Sequence, residues 1–266
     1  MLVRRDNHGV LLIGQPSHAW ISGQLARAWG NERFGYLEPY EEVCLAAEQH
    51  DIGMAEYDLE PERNPETGLP RSFMEMPIGL HLQLWTQGPR RIVKQSRYAA
   101  LLTSMHGVRL YRLRDLDRLP PQDAQAIRDY INREERFQHE LIESLRSDPA
   151  TAHGVAPPQL ARNSQLIWTW DSLSLALCLE WAPWTARDVP TASGGGATEL
   201  SVSLGHEPNQ LILDPWPLKA PTRVHCEGQR LTEPAATDDA LAKALAAAPW
   251  ERLELWLRPR SATGPG

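Results

Sequence analysis

Glu48-Gln49-His50-Asp51-Ile52-Gly53-Met54 is the stretch on which the reading of this chain turns. It sets a histidine beside an aspartate near the end of a helix expected over 39–56, where Val43, Ala47, His50 and Met54 share one stripe. Neighbouring helical positions lie about 100° apart, so the two side chains do not stack on each other. They can converge on a point beside the helix, as two corners of a site for a divalent ion of intermediate hardness. A lone His-Asp pair is more often a core histidine bonded to a nearby carbonyl, so the rest of the chain has to decide.

Outward from that pair, other polar residues recur on apolar faces. A helix over 15–29 opens with Pro16 in its first turn and stops at Gly30, and it carries His18 in register with Ile21, Leu25 and Trp29. A helix from 77, ended by Gly88-Pro89, aligns His81 with Ile78, Leu82 and Trp85. A helix over 92–113 aligns His106 with Tyr98, Leu102, Met105 and Arg109, and one over 159–181 aligns Asp171 with Trp168, Leu175 and Cys178. Each of these histidines is by itself a satisfied core residue. Asp171 is harder to dismiss, because a carboxylate on an apolar face is costly unless paired or bound to metal. A charged helix to 146 follows Pro120-Pro121, and His8, His139, His153, His206 and His225 read as turn, solvated or structural residues.

The ends of the chain read as β. Two apolar runs flank Asp6-Asn7-His8-Gly9, a hairpin turn composition. After Pro183 the composition changes: Ser193-Gly194-Gly195-Gly196 reads as a flexible linker. Strands are expected at 200–204, at 211–217 and around Val224 and Cys226. An Ala-rich helix over 238–248 and a last strand at 253–257 complete the tail. The expectation is a mainly α protein with a small β-rich C-terminal region, α+β overall. Residues 1–183 form a helical metal-binding core with an N-terminal hairpin, and 184–266 a linker and a small β-rich region packed on it. Pairing of the tail with the hairpin would protect strand edges.

Bulk properties exclude several classes. The 266 residues carry a net charge of −7, which argues against nucleic acid or an anionic membrane as the partner and leaves a small molecule. Cys44, Cys178 and Cys226 are widely spaced and odd in number, as reduced core thiols of a cytoplasmic protein are. Val10-Leu11-Leu12-Ile13 is too short for a signal peptide or a membrane span. The Gly194-Gly195-Gly196 run lacks the lysine and the strand–helix setting of a phosphate loop, and no Ser-His-Asp spacing stands out.

Taken together, the order His18, His50-Asp51, His81, His106, Asp171 resembles the HD superfamily of metal-dependent phosphohydrolases in its two-metal form, over about residues 15–181. The resemblance implies an HD-type helical core. It implies one metal on His18, His50, Asp51 and Asp171, and a second on His81 and His106 bridged by Asp51. Imidazole and carboxylate suit Fe or Mn, with Zn or Co compatible. Two such ions about 3.5–4 Å apart hold a hydroxide as nucleophile against a phosphorylated metabolite or nucleotide. The same ligand order also resembles the di-iron oxygenases of that superfamily, and a non-catalytic metal-binding or scaffold module is a third possibility. Relatives with lysine three residues after the paired aspartate use it on substrate. Met54 stands there in this chain, so Arg109, one turn beyond His106, becomes the candidate substrate contact beside Asp51, with Lys94 and Arg97 behind it. The whole chain also resembles a bacterial family of unknown function, number 3891, in Gln15-Pro16-Ser17-His18-Ala19 with Ser22-Gly23, His50-Asp51-Ile52-Gly53, residues 98–106 and Asp214-Pro215-Trp216-Pro217.

Overall fold

The computed structural model describes residues 1–192 and 195–260. Among them are seven strands: β1 Leu2–Asp6, β2 Gly9–Ile13, β3 Trp184–Pro190, β4 Ala197–Leu204, β5 Gln210–Asp214, β6 Thr222–Leu231 and β7 Trp250–Pro259. The α-helices are α1 Gln15–Ala28, α2 Tyr40–Gln49, α3 Ala55–Leu59, α4 Ile78–Ile92, α5 Arg97–Arg112, α6 Pro121–Arg146, α7 Pro157–Cys178 and α8 Asp238–Ala247.

The expected mainly α, HD-type helical core is not what forms. The protein is α+β, 51% helix and about 21% strand, with all seven strands in one curled mixed sheet of half-barrel form, ordered β1-β2-β6-β7-β5-β4-β3. The cause is long-range pairing. The N-terminal hairpin joins the tail through β2 and β6, with Val10 opposite Leu231 and Ile13 opposite Gly228. Only β5 and β7 run parallel. Strict alternation turns Leu200 and Val202, Leu211 and Leu213, Val224 and Cys226, and Leu253, Leu255 and Leu257 to one face. That face shares a continuous apolar core with Ile21, Leu25, Val43, Leu101, Leu166, Trp170 and Leu177 of α1, α2, α5 and α7. The helices are thus one layer of a two-layer fold.

Strand β3 was not expected, because a bulge between Ala186 and Val189 breaks the alternation that would have marked it. Of the expected linker, Ser193 and Gly194 lie outside the described residues. Gly195 and Gly196 belong to the connection between the antiparallel strands β3 and β4, where the Thr191 amide donates to the Gly196 carbonyl.

Three helix boundaries also differ. Gly88-Pro89 does not end α4, which runs on to Ile92. The helix expected from 92 starts at Arg97, capped by the Ser96 hydroxyl accepting from the Ala99 amide. The helix expected over 39–56 stops at Gln49 and gives way to a 3₁₀ turn at Ile52–Met54 and then α3. Gly53 explains the placement of this turn: a Cβ there would lie 2.2 Å from the Leu84 carbonyl oxygen, so only glycine lets the turn close onto α4.

Candidate metal centre

The break after Gln49 makes His50 the C-cap of α2 and puts Asp51 at the start of the 3₁₀ turn. His18 comes from α1, His106 from α5 and Asp171 from α7. These five side chains meet in the helical layer and are all buried. His18, His50 and Asp51 form one set with ligand atoms within 4.8 Å of one another, and His50, His106 and Asp171 form another. Because both sets use His50, they describe one centre with a shared imidazole.

Tautomers follow from the hydrogen bonds. His50 Nδ1 donates to the Ala47 carbonyl at 2.9 Å, which turns Nε2 inward. That Nε2 lies 3.3 Å from Asp171 Oδ1 and 3.6 Å from Asp51 Oδ2, and it makes no hydrogen bond. His106 Nε2 is 3.5 Å from Asp171 Oδ2. Two atoms each ~2.1 Å from one tetrahedral ion sit ~3.4 Å apart, the spacing of these contacts. A buried nitrogen facing two carboxylates without a bond to either fits a cation between them. His18 differs: its Nε2 is 2.6 Å from Asp51 Oδ2, a hydrogen-bond distance.

Burial by itself disfavours every charge here, yet Asp51 and Asp171 are held below the usual carboxylate range. For Asp51 the adjacent His50, then His18 and His106, outweigh burial; for Asp171 it is His50 first. Burial also opposes protonation of His50, but Asp51 and then Asp171 push it up to about 9. Burial prevails at His106, which falls to about 4.

His81 is not brought into the cluster. Trp85 Nε1–H donates to its Nε2 at 3.1 Å, so its Nδ1 holds the ring proton and meets the Tyr111 oxygen at 2.6 Å. Burial lowers it to about 4. Both ring nitrogens are spent inside the second apolar cluster, which contains Trp85, Tyr111 and Tyr130. Met54 is buried in the same cluster. Arg109 is half-buried one turn beyond His106; its Nη1 donates to Gln165 at 2.6 Å, and its guanidinium lies 4.5 Å from the centre of the Trp168 ring, which also contacts His106. Arg97 is engaged on α6, donating to Ser144.

The sequence reading gave no place at the site to two serines. Ser174 Oγ is 2.8 Å from His18 Nδ1, and Ser22 Oγ is 3.0 Å from Ser174 Oγ. The signal was available: Ser22 follows His18 by four residues and Ser174 follows Asp171 by three, both same-face helical spacings. They also produce a Ser174–His18–Asp51 line that no sequence spacing announced. It is no nucleophile triad, since Ser174 is fully buried and its hydroxyl donates to the Asp171 carbonyl at 2.8 Å.

A cleft of about 1130 Å³ does not contain the cluster in its wall. It opens beside it, lined by Ser17, Ala55, Asp58, Leu59, Arg71 and Trp250 among others. Asp58 ties the two regions together by accepting the Gln15 amide at the start of α1.

Fold and site together define an α+β protein with a buried His/Asp cluster whose donors could hold a metal ion. Over residues 1–233 the chain matches the family described as protein of unknown function (DUF3891), and it belongs to that family. No curated protein and no solved structure matches it. No helix among the described residues is long and apolar enough to cross a membrane.

Proposed function

We propose that this protein is a metal-dependent phosphohydrolase acting on a small phosphorylated metabolite or nucleotide. One divalent transition metal, Fe or Mn in the first instance, is held by His18, His50, Asp51, His106 and Asp171. The observation that carries the metal is His50 Nε2, buried, free of hydrogen bonds and set between two carboxylates at 3.3 and 3.6 Å. When bound, such an ion supplies Lewis acidity that lowers the pKa of water and offsets charge on a transferring phosphoryl group. Ala47 fixes the His50 ring through Nδ1. Asp171 places its two oxygens toward different imidazoles, Oδ1 to His50 and Oδ2 to His106. Trp85 and Trp168 line His106 and keep water from its ring faces.

Support for hydrolysis comes from the ligand order, which is similar to that of the HD phosphohydrolases although the overall architecture is different. This is analogy at the level of the site. The two-metal form and the di-iron oxygenase alternative both call for His81, whose nitrogens are committed to Trp85 and Tyr111. The test is elemental analysis of protein purified without chelator, followed by a phosphatase and phosphodiesterase panel with Mn or Fe. Near-stoichiometric metal, and phosphate release abolished in Asp51→Ala, are expected. Metal-free protein, or oxygen uptake with no phosphate release, overturns the reading.

A further inference from the structure

We infer that a pocket between α5 and α7, outside the metal centre, is a binding site for an oxyanion, the phosphate or carboxylate group of a small molecule with a short apolar body, and that Arg109 is its anchor. The pocket holds about 300 Å³. Arg109, Arg112, Ser164, Met105, Val108 and Leu113 line it, and neither a carboxylate nor any of the five clustered His/Asp side chains lies in its wall. A half-buried cation is costly to keep unless something replaces the water it loses. Arg109 is in that position. Burial pulls its pKa down, and the carboxylate that acts on it, Asp188, makes no ion pair with it. Arg112 is neutralised by Glu135, so the unpaired charge of the pocket is the Arg109 guanidinium.

That guanidinium is held in place. Its centre lies 4.5 Å from the centre of the Trp168 ring, and Nη1 donates to Gln165 Oε1 at 2.6 Å. Stacking uses the face of a guanidinium and leaves its in-plane N–H groups free, in the fork that matches two oxygens of a phosphate or carboxylate. Nε and Nη2 donate to no group among the described residues. Ser164, four residues before Trp168 on α7, adds a hydroxyl to the same wall, and Met105, Val108 and Leu113 supply apolar surface. Leu113 is 66% exposed and is open to cover by a ligand. The larger cleft carries the opposite charge. There Arg63 and Arg71 are taken up by Asp238 and Glu62, while Glu60 and Asp239 have no ion pair among the described residues. An oxyanion is repelled from that cleft and attracted to Arg109. Small-molecule sites run from about 300 to 1,000 Å³, so this pocket suits one oxyanion and a few carbons.

The Arg109 Nε–H resonance in a ¹H–¹⁵N spectrum reads the site directly. Wild-type protein, as purified and after dialysis against chelator, is titrated with sodium phosphate and separately with sodium butyrate, each against sodium chloride at matched ionic strength. The expected result is a saturable shift with phosphate, butyrate or both, in both samples, and none with chloride. Saturation by phosphate alone assigns the site to phosphate esters, and by butyrate alone to carboxylic acids. Equal shifts with chloride, or a drift that does not saturate, overturn the inference. The chelator-treated sample keeps this result apart from the function proposed above. Phosphate that binds only when metal is present sits on the metal, which overturns the Arg109 site and leaves the metal reading intact. Saturable binding by a wild type that retains no metal supports the site and defeats the metal reading. Arg109→Gln is expected to weaken binding of the saturating anion about 10-fold or more in calorimetry, with Ser164→Ala giving a smaller loss. An Arg109→Gln protein that loses stability but binds the anion as wild type does shows that Arg109 only tethers α5 to α7, and that outcome overturns the inference.

Discussion

At the scale of single residues, His50 and His81 are the informative contrast. Both sit on apolar stripes and both are buried, but their nitrogens face different partners. His50 keeps Nε2 unbonded against Asp51 and Asp171, while His81 bonds through both nitrogens. His50→Ala and Asp171→Ala should therefore abolish metal retention, and His81→Ala should leave one metal per chain while destabilising the Trp85–Tyr111 cluster. Metal content by mass spectrometry of the three purified variants decides it, and loss of metal in His81→Ala would restore the two-metal arrangement. The same residue sets a pH dependence. His50 is raised to about 9 in the metal-free protein, so a metal must displace its proton at any lower pH. Affinity should rise as pH rises toward 9 and fall as it is lowered. Calorimetric titrations at pH 7 in buffers of different ionisation enthalpy should detect proton release on Zn binding; heats independent of the buffer would refute it.

The elements show how the centre is held. α5 brings His106 into place, and its first turn is capped by Ser96. Ser96→Ala removes that acceptor and should cost about 1 kcal/mol in urea unfolding. Metal stoichiometry should be unchanged, because the cap lies more than two turns from His106. The 3₁₀ turn that carries Asp51 is less tolerant. In Gly53→Ala the new methyl meets the Leu84 carbonyl, and the Gly88 amide lies 3.1 Å away, so backbone must shift on one side or the other. Overpacking of this kind costs about 1–3 kcal/mol. Gly53→Ala should lower the unfolding midpoint and weaken metal binding together, because the displaced turn is the one that carries Asp51. A variant with reduced stability but wild-type affinity would show that the turn and the centre are uncoupled.

For the whole molecule, the sheet and the helical layer share one apolar core that runs from Leu11 and Ile13 through Trp170 to Leu257. That continuity predicts a single cooperative transition rather than separate melting of a helical core and a β-rich tail. Leu11 is almost wholly buried on β2, so Leu11→Ala should lower global stability by about 2–5 kcal/mol. Release of metal, far-UV signal and near-UV signal should move together in the same denaturant series. Metal retained after the sheet signal is lost would mean two independent units.

What the sequence determined on its own was local. Periodicity placed His18, His50, His106 and Asp171 on inward faces. Pro and Gly punctuation bounded α1 and α6 to within a residue or two, and alternation marked β4, β5, β6 and β7. Adjacency in the chain gave the His50-Asp51 pair. Tertiary structure decided the rest, because those outcomes depend on groups far apart in sequence. Pairing of the tail with the hairpin was expected, but only the packed structure drew all seven strands, β3 included, into one curled sheet in place of a helical core with a small β region. Trp85 and Tyr111 removed His81 from the ligand set. A serine 156 residues from His18 came to lie 2.8 Å from its Nδ1. Side-chain direction along one helix is a property of that helix, whereas the partner a nitrogen finds is set by which other elements pack against it.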